Sequence, residues 1–231
     1  REISGAFNDA ARDNAIGVAV YSHNGPHFGV GGDMQWELES GLQQKTGGAT
    51  ANIDVAIRDC PKPVIAAVRG YAIGNHHHNA YSCDLTIAGE SAIFGQAGNK
   101  TGAGPGGWMV AYAVTVMGAK HGRDLWLRHP QFTAQEAEHI GLCNVVVQDR
   151  LVDAEVEKWC DQILDLIPWG LANSKMSYNA ADMAGHFANH FRGYLNPRYQ
   201  DGPEFHEAQH AFFEKRPPNF WTDEMIKGRE M

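Results

Sequence analysis

The spacing of apolar positions along this 231-residue chain changes several times, and each change predicts an element. Ile3, Phe7, Ala10 and Ala11 share one face at helical spacing, which predicts an opening helix. Residues 15–21 form a largely apolar run closed by His23-Asn24-Gly25-Pro26, a buried strand followed by a turn. Residues 28–33 (FGVGGD) predict a second, glycine-rich strand end, and residues 40–50 a polar loop. Residues 51–58 predict a helix ended by Pro61 and Pro63. A strand over residues 64–68, a tight turn over 70–74 and another helix follow.

Farther on, residues 84–88 and 92–95 predict short strands, and a glycine-dense segment over 95–107 leads into a helix over 108–117. Thr133 and Glu136 have capping-box spacing at the start of a helix over 134–139, which Gly141 stops. Residues 143–147 predict a strand. Beyond Leu151 the pattern is helical, broken at Pro168, Pro197 and Pro217-Pro218. Strands alternating with helices make the first two thirds α/β, with a helical last third and no internal repeat. The expected division is a core over 1–165 and a helical region over 166–231.

Composition removes whole classes of function. Nineteen basic against 27 acidic residues give a net charge of −8, and no Lys/Arg run forms a nucleic-acid surface. The apolar runs are strand-sized, so no membrane helix is expected, and no signal peptide opens the chain. Four scattered cysteines without a CxxC pair predict reduced thiols in a cytoplasmic protein.

The candidate chemistry lies in residues 60–84. A strand that feeds a helix N-terminus through glycines makes an anion site, because unpaired N–H groups point outward at the positive end of the helix dipole. Here that helix opens on His76, His77 and His78. An oxyanion site beside a proton-transfer group suits enolate or acyl chemistry. Successive helical residues point about 100° apart, so all three imidazoles cannot face one pocket.

Residues 28–33, 62–74 (KPVIAAVRGYAIG), 83–88 (CDLTIA), 92–96 (AIFGQ), 133–142 and 214–218 (EKRPP), taken in order, resemble the crotonase (enoyl-CoA hydratase/isomerase) superfamily over nearly the whole chain. The wording at 71–74, 94–98 and 214–217 is similar to two ring-handling branches, 1,4-dihydroxy-2-naphthoyl-CoA synthase and 2-ketocyclohexanecarboxyl-CoA hydrolase. The resemblance implies an α/β spiral of ββα units with a C-terminal helical region that completes a neighbouring active site. A homotrimer or dimer of trimers is implied with it. It also implies an acyl-CoA or cyclic diketone substrate, no tightly bound cofactor and no metal. By motif position the N–H groups of Gly32 and Asn75 grip the carbonyl oxygen, worth roughly 3–4 kcal/mol per donor.

The departures shape the expected chemistry. His78 and Gly98 fall where hydratases of this superfamily carry their two catalytic glutamates, and Pro105 falls where the ring-handling branches carry an aspartate. The pair Asn75-His76 is similar to 6-oxocamphor hydrolase, which cleaves a cyclic β-diketone without coenzyme A. The family's first strands, which help hold the CoA adenine, have no counterpart here, so truncation or altered nucleotide binding is expected. Histidine then remains for proton transfer, His78 first by motif position and His76 second. Tyr199 and Tyr194 fall where naphthoate-type enzymes present a tyrosine, although a packed aromatic explains them as well.

Asp33 caps the next helix or lies at the pocket mouth, and Trp108 after Gly107 is core or pocket wall. Lys215 and Arg216 contact CoA phosphates or form a solvated helix end. The pairs His186/His190 and His206/His210 have i, i+4 spacing without a zincin glutamate, and packing or surface roles are expected for them. The expected activity is cleavage or formation of a C–C bond in a cyclic β-keto acyl-CoA or β-diketone. An enoyl-CoA hydratase or isomerase, and an inactive binding or scaffold subunit, are the alternatives.

Overall fold

The computed structural model describes residues 2–35, 39, 53–102, 106–181, 202–223 and 225. Helix α1 (Glu2–Arg12) buries Phe7 and Ala10, the face its spacing predicts. Strand β1 (Ala19–Tyr21) is shorter than expected, because Asp13 draws the preceding residues into a turn through Ala15 N–H. Helix α2 (Ile53–Asp59), strand β2 (Val64–Val68) and strand β3 (Tyr71–Ile73) follow, then helix α3 (Asn75–Ser82). Strands β4 (Leu85–Gly89) and β5 (Ile93–Gly95) lead to the kinked helix α4 (Trp108–Arg128). Strand β6 (Gln131–Thr133), helix α5 (Ala134–His139), strand β7 (Val145–Val147) and helices α6 (Val152–Leu164), α7 (Pro168–Ala181) and α8 (Pro203–Phe213) complete the described elements.

One sheet has the order β1-β2-β4-β7, all parallel, and a second has the order β3-β5-β6 with β6 antiparallel. Every residue of β2 is buried, as a central parallel strand covered on both faces requires. Alternation divides its side chains: Val64, Ala66 and Val68 join the main core, while Ile65 and Ala67 pack with Ile87, Val152 and Val156 under α6. The α/β spiral expected from the sequence is the architecture observed.

Two expectations are corrected. Residues 71–73 lie in a strand rather than wholly in a turn, paired with β5 across the chain. Residues 28–33 contribute only an isolated parallel bridge, Gly29 to Ala72. The helical run that opens at Trp108 stops at Met117 as expected, because Gly118 (φ 77) leaves the helical conformation, and a second run over 119–128 follows within α4. The Thr133–Glu136 capping box is present in both directions. No helix among the described residues is long and apolar enough to cross a membrane.

Candidate functional site

The two glycine turns meet. Gly29 N–H donates to the Tyr71 carbonyl (2.8 Å) and Ile73 N–H donates to the Gly29 carbonyl (2.9 Å), which lays the first turn along β3. At the next step a Cβ on Gly74 would lie 3.5 Å from the Gly31 Cα. Gly74 itself takes φ 63, a left-handed conformation that glycine adopts at no steric cost. Its N–H donates to the Gly95 carbonyl (3.1 Å) and its carbonyl accepts from Gln96 Nε2 (3.3 Å), so β5 braces the turn.

Gly32 and Asn75 are the residues immediately past this contact, and both are exposed. Asn75 opens α3, so its N–H has no carbonyl one turn earlier in the helix to bond. Neither N–H bonds to another described residue. Each N–H belongs to the residue that follows the Gly31–Gly74 contact, and that of Asn75 lies at a helix N-terminus, where negative charge is favoured.

The three histidines part company. His76 is half-buried, its ring laid against Gly29, where an added Cβ would sit 2.2 Å from His76 Cδ2. Gly31 N–H donates to His76 Nδ1 at 3.3 Å, and Phe28 stands edge-on at 6.3 Å between ring centroids. Burial holds the His76 pKa below the ordinary imidazole value.

His77 is fully enclosed, with Nδ1 3.1 Å from the Gly95 carbonyl and 3.2 Å from Gln96 Nε2. A carbonyl only accepts, so the Gly95 contact places the proton on Nδ1 and frees the Gln96 amide for Gly74. His78 is buried against Trp126 (5.2 Å between centroids) and Tyr81 (5.8 Å), and neither of its ring nitrogens has a partner among the described residues. Burial pushes both rings down to about 3. The motif position first favoured for proton transfer is thus an aromatic-lined interior, and His76 is the imidazole at the glycine turns.

The other expected residues are scattered. Asp33 is exposed and directly precedes a helical turn at 34–35. Gly107 (φ 80) precedes α4, but Trp108 is buried on Tyr112 (4.7 Å, stacked), with the Arg58 guanidinium 4.7 and 4.5 Å from the two rings. Lys215 and Arg216 follow α8, which stands on the 98–102 segment through Gln209 Nε2 and the Thr101 carbonyl (2.7 Å). Arg216 grips both Glu207 oxygens (2.6 and 2.9 Å) and Glu214 (2.6 Å). Arg216 holds the Glu207 carboxyl down to about 2. Tyr194, Tyr199, Pro105, His186, His190 and residues 40–50 lie outside the described residues.

Sequence reasoning missed Gly29, Gly31, Gln96 and the structural work of His77. The close approach of Gly29 to His76 joins residues far apart in the chain, and no local pattern signals it. A cavity of about 230 Å³ lies elsewhere, at the C-terminal end of α3, lined by Arg58, Ser82, Asp84, Tyr112, Lys175 and Tyr178 among others. The eight residues of α3 put roughly 12 Å between that end and Asn75. We place the candidate chemistry at the glycine turns, because the Lys175 ammonium in the cavity is already spent on three protein acceptors. Among the described residues no cluster of His, Cys, Asp or Glu has metal-site geometry.

The family model described as enoyl-CoA hydratase/isomerase matches residues 1–224. Among solved structures, an enoyl-CoA hydratase from Mycobacterium avium subsp. paratuberculosis K-10 superposes with a TM-score of 0.80 at 28% identity, over 96% of this chain and 87% of that one. An enoyl-CoA hydratase/isomerase from Pseudoalteromonas atlantica T6c gives 0.81 at 25% identity, over 95% and 87%. A methylmalonyl-CoA decarboxylase in complex with 2-nitronate-propionyl-CoA shares the fold with a TM-score of 0.81 at 24% identity, over 94% and 86%.

Proposed function

The chain belongs to the enoyl-CoA hydratase/isomerase family, whose members act on CoA thioesters, and from that membership we propose that it cleaves or forms a C–C bond in a cyclic β-keto acyl-CoA or β-diketone. The observation that carries the reading is the junction of Gly31 with Gly74, past which Gly32 and Asn75 offer their N–H groups with the His76 ring alongside. Simple hydration of an enoyl thioester fits less well. The positions of the two hydratase glutamates hold His78, enclosed by aromatic rings, and Gly98, which has no side chain. One neighbour of the same fold is by name a decarboxylase of a CoA thioester, which also breaks a C–C bond.

In the cleavage direction water adds to the ring ketone. The ring C–C bond breaks with its electron pair passing into an enolate whose oxygen rests on Gly32 and Asn75. A proton returns to that carbon, so that one water is consumed and one carboxylic acid is formed. Asp33, Trp108 and Gly107 for substrate binding, Tyr199 for proton transfer, and Lys215 with Arg216 for the CoA phosphates belong to the same proposal. So does assembly into a homotrimer or dimer of trimers. Leu166 and Ile167 between α6 and α7, and Trp169 in the first turn of α7, exposed at 54%, 62% and 70%, support the assembly.

The test is incubation with 2-ketocyclohexanecarboxyl-CoA, a cyclic β-diketone and crotonyl-CoA, followed by mass spectrometry. Ring opening, with gain of one water by either cyclic compound, is the expected result. Hydration of crotonyl-CoA alone would overturn it in favour of a hydratase. Silence with all three would favour a binding subunit.

A further inference from the structure

We infer that His76 is a neutral hydrogen-bond donor, its Nε2–H held toward a second carbonyl oxygen of the substrate, and not the base of the site. The inference rests on the functional reading above and narrows it to substrates with two carbonyl oxygens. A backbone N–H can only donate. The contact from Gly31 N–H to Nδ1 at 3.3 Å therefore requires a lone pair on Nδ1, and in a neutral ring the proton must then reside on Nε2. A ring turned over about Cβ–Cγ would place Cδ2 where Nδ1 stands and leave the Gly31 N–H without its acceptor, so that contact itself selects this orientation. Among the described residues the hydrogen bond to the His76 ring falls on Nδ1, and the residue is half-buried rather than enclosed. Burial keeps the imidazole below its ordinary pKa, so it is neutral near pH 7.

A ring with Nδ1 engaged and Nε2 protonated has no lone pair left to take a proton from water. It can polarise a carbonyl, as a neutral imidazole does where a helix N-terminus disfavours the cation. His76 stands in the first turn of α3, in that electrostatic setting. The donors then match a β-dicarbonyl group: Gly32 and Asn75 N–H hold the thioester oxygen that becomes the enolate, and His76 Nε2–H holds the ketone oxygen under attack. An enoyl thioester has one carbonyl oxygen and leaves Nε2–H without a partner. No proton leaves Nε2 in this scheme. One hydrogen of the attacking water stays on oxygen in the new carboxyl group, the other passes to solvent water as the C–O bond forms, and the enolate carbon takes one proton back from solvent.

Two measurements test the inference. Long-range ¹H–¹⁵N correlation on ¹⁵N-histidine-labelled protein at pH 7, with the His76 signal assigned by its loss in His76→Gln, should show the Nε2–H tautomer. A Nδ1–H tautomer or a cationic ring overturns the inference. In the ring-opening assay, His76→Ala should lower kcat by about 10²–10³-fold, the usual effect of losing one oxyanion donor. His76→Gln, which supplies an amide N–H but no titrating group, should stay within about tenfold of the parent, the gap being set against the full loss of a donor. Equal collapse of both variants, with unchanged melting profiles, overturns the donor role. A correct tautomer without ring opening by the parent protein would instead overturn the functional reading on which the inference rests.

Discussion

The Lys175 ammonium on α7 stands 2.7 Å from the Asp84 carboxylate just before β4, where the lysine side chain is only 2% exposed. Its remaining protons go to the carbonyls of Ile57 (2.9 Å) and Lys62 (3.0 Å), so one side chain ties α7 to the end of α2 and to the approach to β2. Asp84 in turn accepts Val64 N–H at 2.8 Å. Burial raises the Asp84 pKa although Lys175 opposes the rise, which shows how poorly that carboxylate would fare alone. Lys175→Met should therefore destabilise the fold by about 3–5 kcal/mol, the usual cost of leaving a buried charge without its partner. Urea titration is the measurement, and a loss under about 1 kcal/mol, the scale of a surface pair, would show that the bridge contributes little.

A second expectation concerns pH. His77 and His78 have folded pKa values near 3 against about 6.5 for an unfolded histidine, so between these values the unfolded chain binds more protons. Stability is then full above pH 6.5 and falls as pH drops toward 3, by up to about 1.4 kcal/mol per pH unit for each ring. His23, His76 and His129 are lowered too, by burial, and add smaller losses of the same sign. Asp54 and Asp84, raised by burial, act in the opposite sense in the carboxylate range. Unfolding free energy measured from pH 7.5 to 5 should decline steeply. His78→Phe, which fills the aromatic pocket and removes one titrating ring, should make the decline shallower. An unchanged slope in that variant would mean that His78 is not buried as a neutral group.

How much of this was legible follows from the distances over which contacts act. Strand β2 was readable to the residue, because Pro63 and Gly70 bracket a continuous apolar run whose burial on both faces needs no partner to be inferred. The helix start at Asn75 after Gly74 and the Thr133–Glu136 box were readable for the same local reason. Strand β3 was not, since its three residues are ordered by β5 and by Gly29 rather than by their own pattern. Gly118 was readable as a helix stop and does leave the helical conformation, but the second run after it, which packs Leu125 and Trp126 into the core, had no separate signal. The Lys175–Asp84 bridge spans 91 positions and the Gly31–His76 contact 45, and no periodicity reports such pairs. For the histidines, sequence ranked candidates by motif position, whereas burial separates a ring enclosed by Trp126 and Tyr81 from one laid on Gly29.

That last contact gives the sharpest prediction. A methyl group at position 29 would sit 2.2–2.6 Å from His76 Cδ2, Cγ and Nδ1, closer than any real Cβ contact, so the imidazole must move. The side chain can swing away, and overpacking of this kind costs on the order of 1–3 kcal/mol. Gly29 also takes φ 154, which L side chains rarely adopt, so the methyl strains the backbone by a further cost of about 1–3 kcal/mol, while the bonds to Tyr71 and from Ile73 tie the turn to β3. Gly29→Ala should therefore fold with a clearly lowered melting temperature, while losing the Gly31 N–H to Nδ1 contact. Its ring-opening rate should fall about as far as that of His76→Ala, and its His76 nitrogen shifts should show a mixture of tautomers. Adding Gly29→Ala to His76→Ala should cost little further activity, because both act through one ring, whereas independent roles would multiply. A Gly29→Ala protein with parental turnover would mean that the position of His76 against the glycine turns has no part in the chemistry.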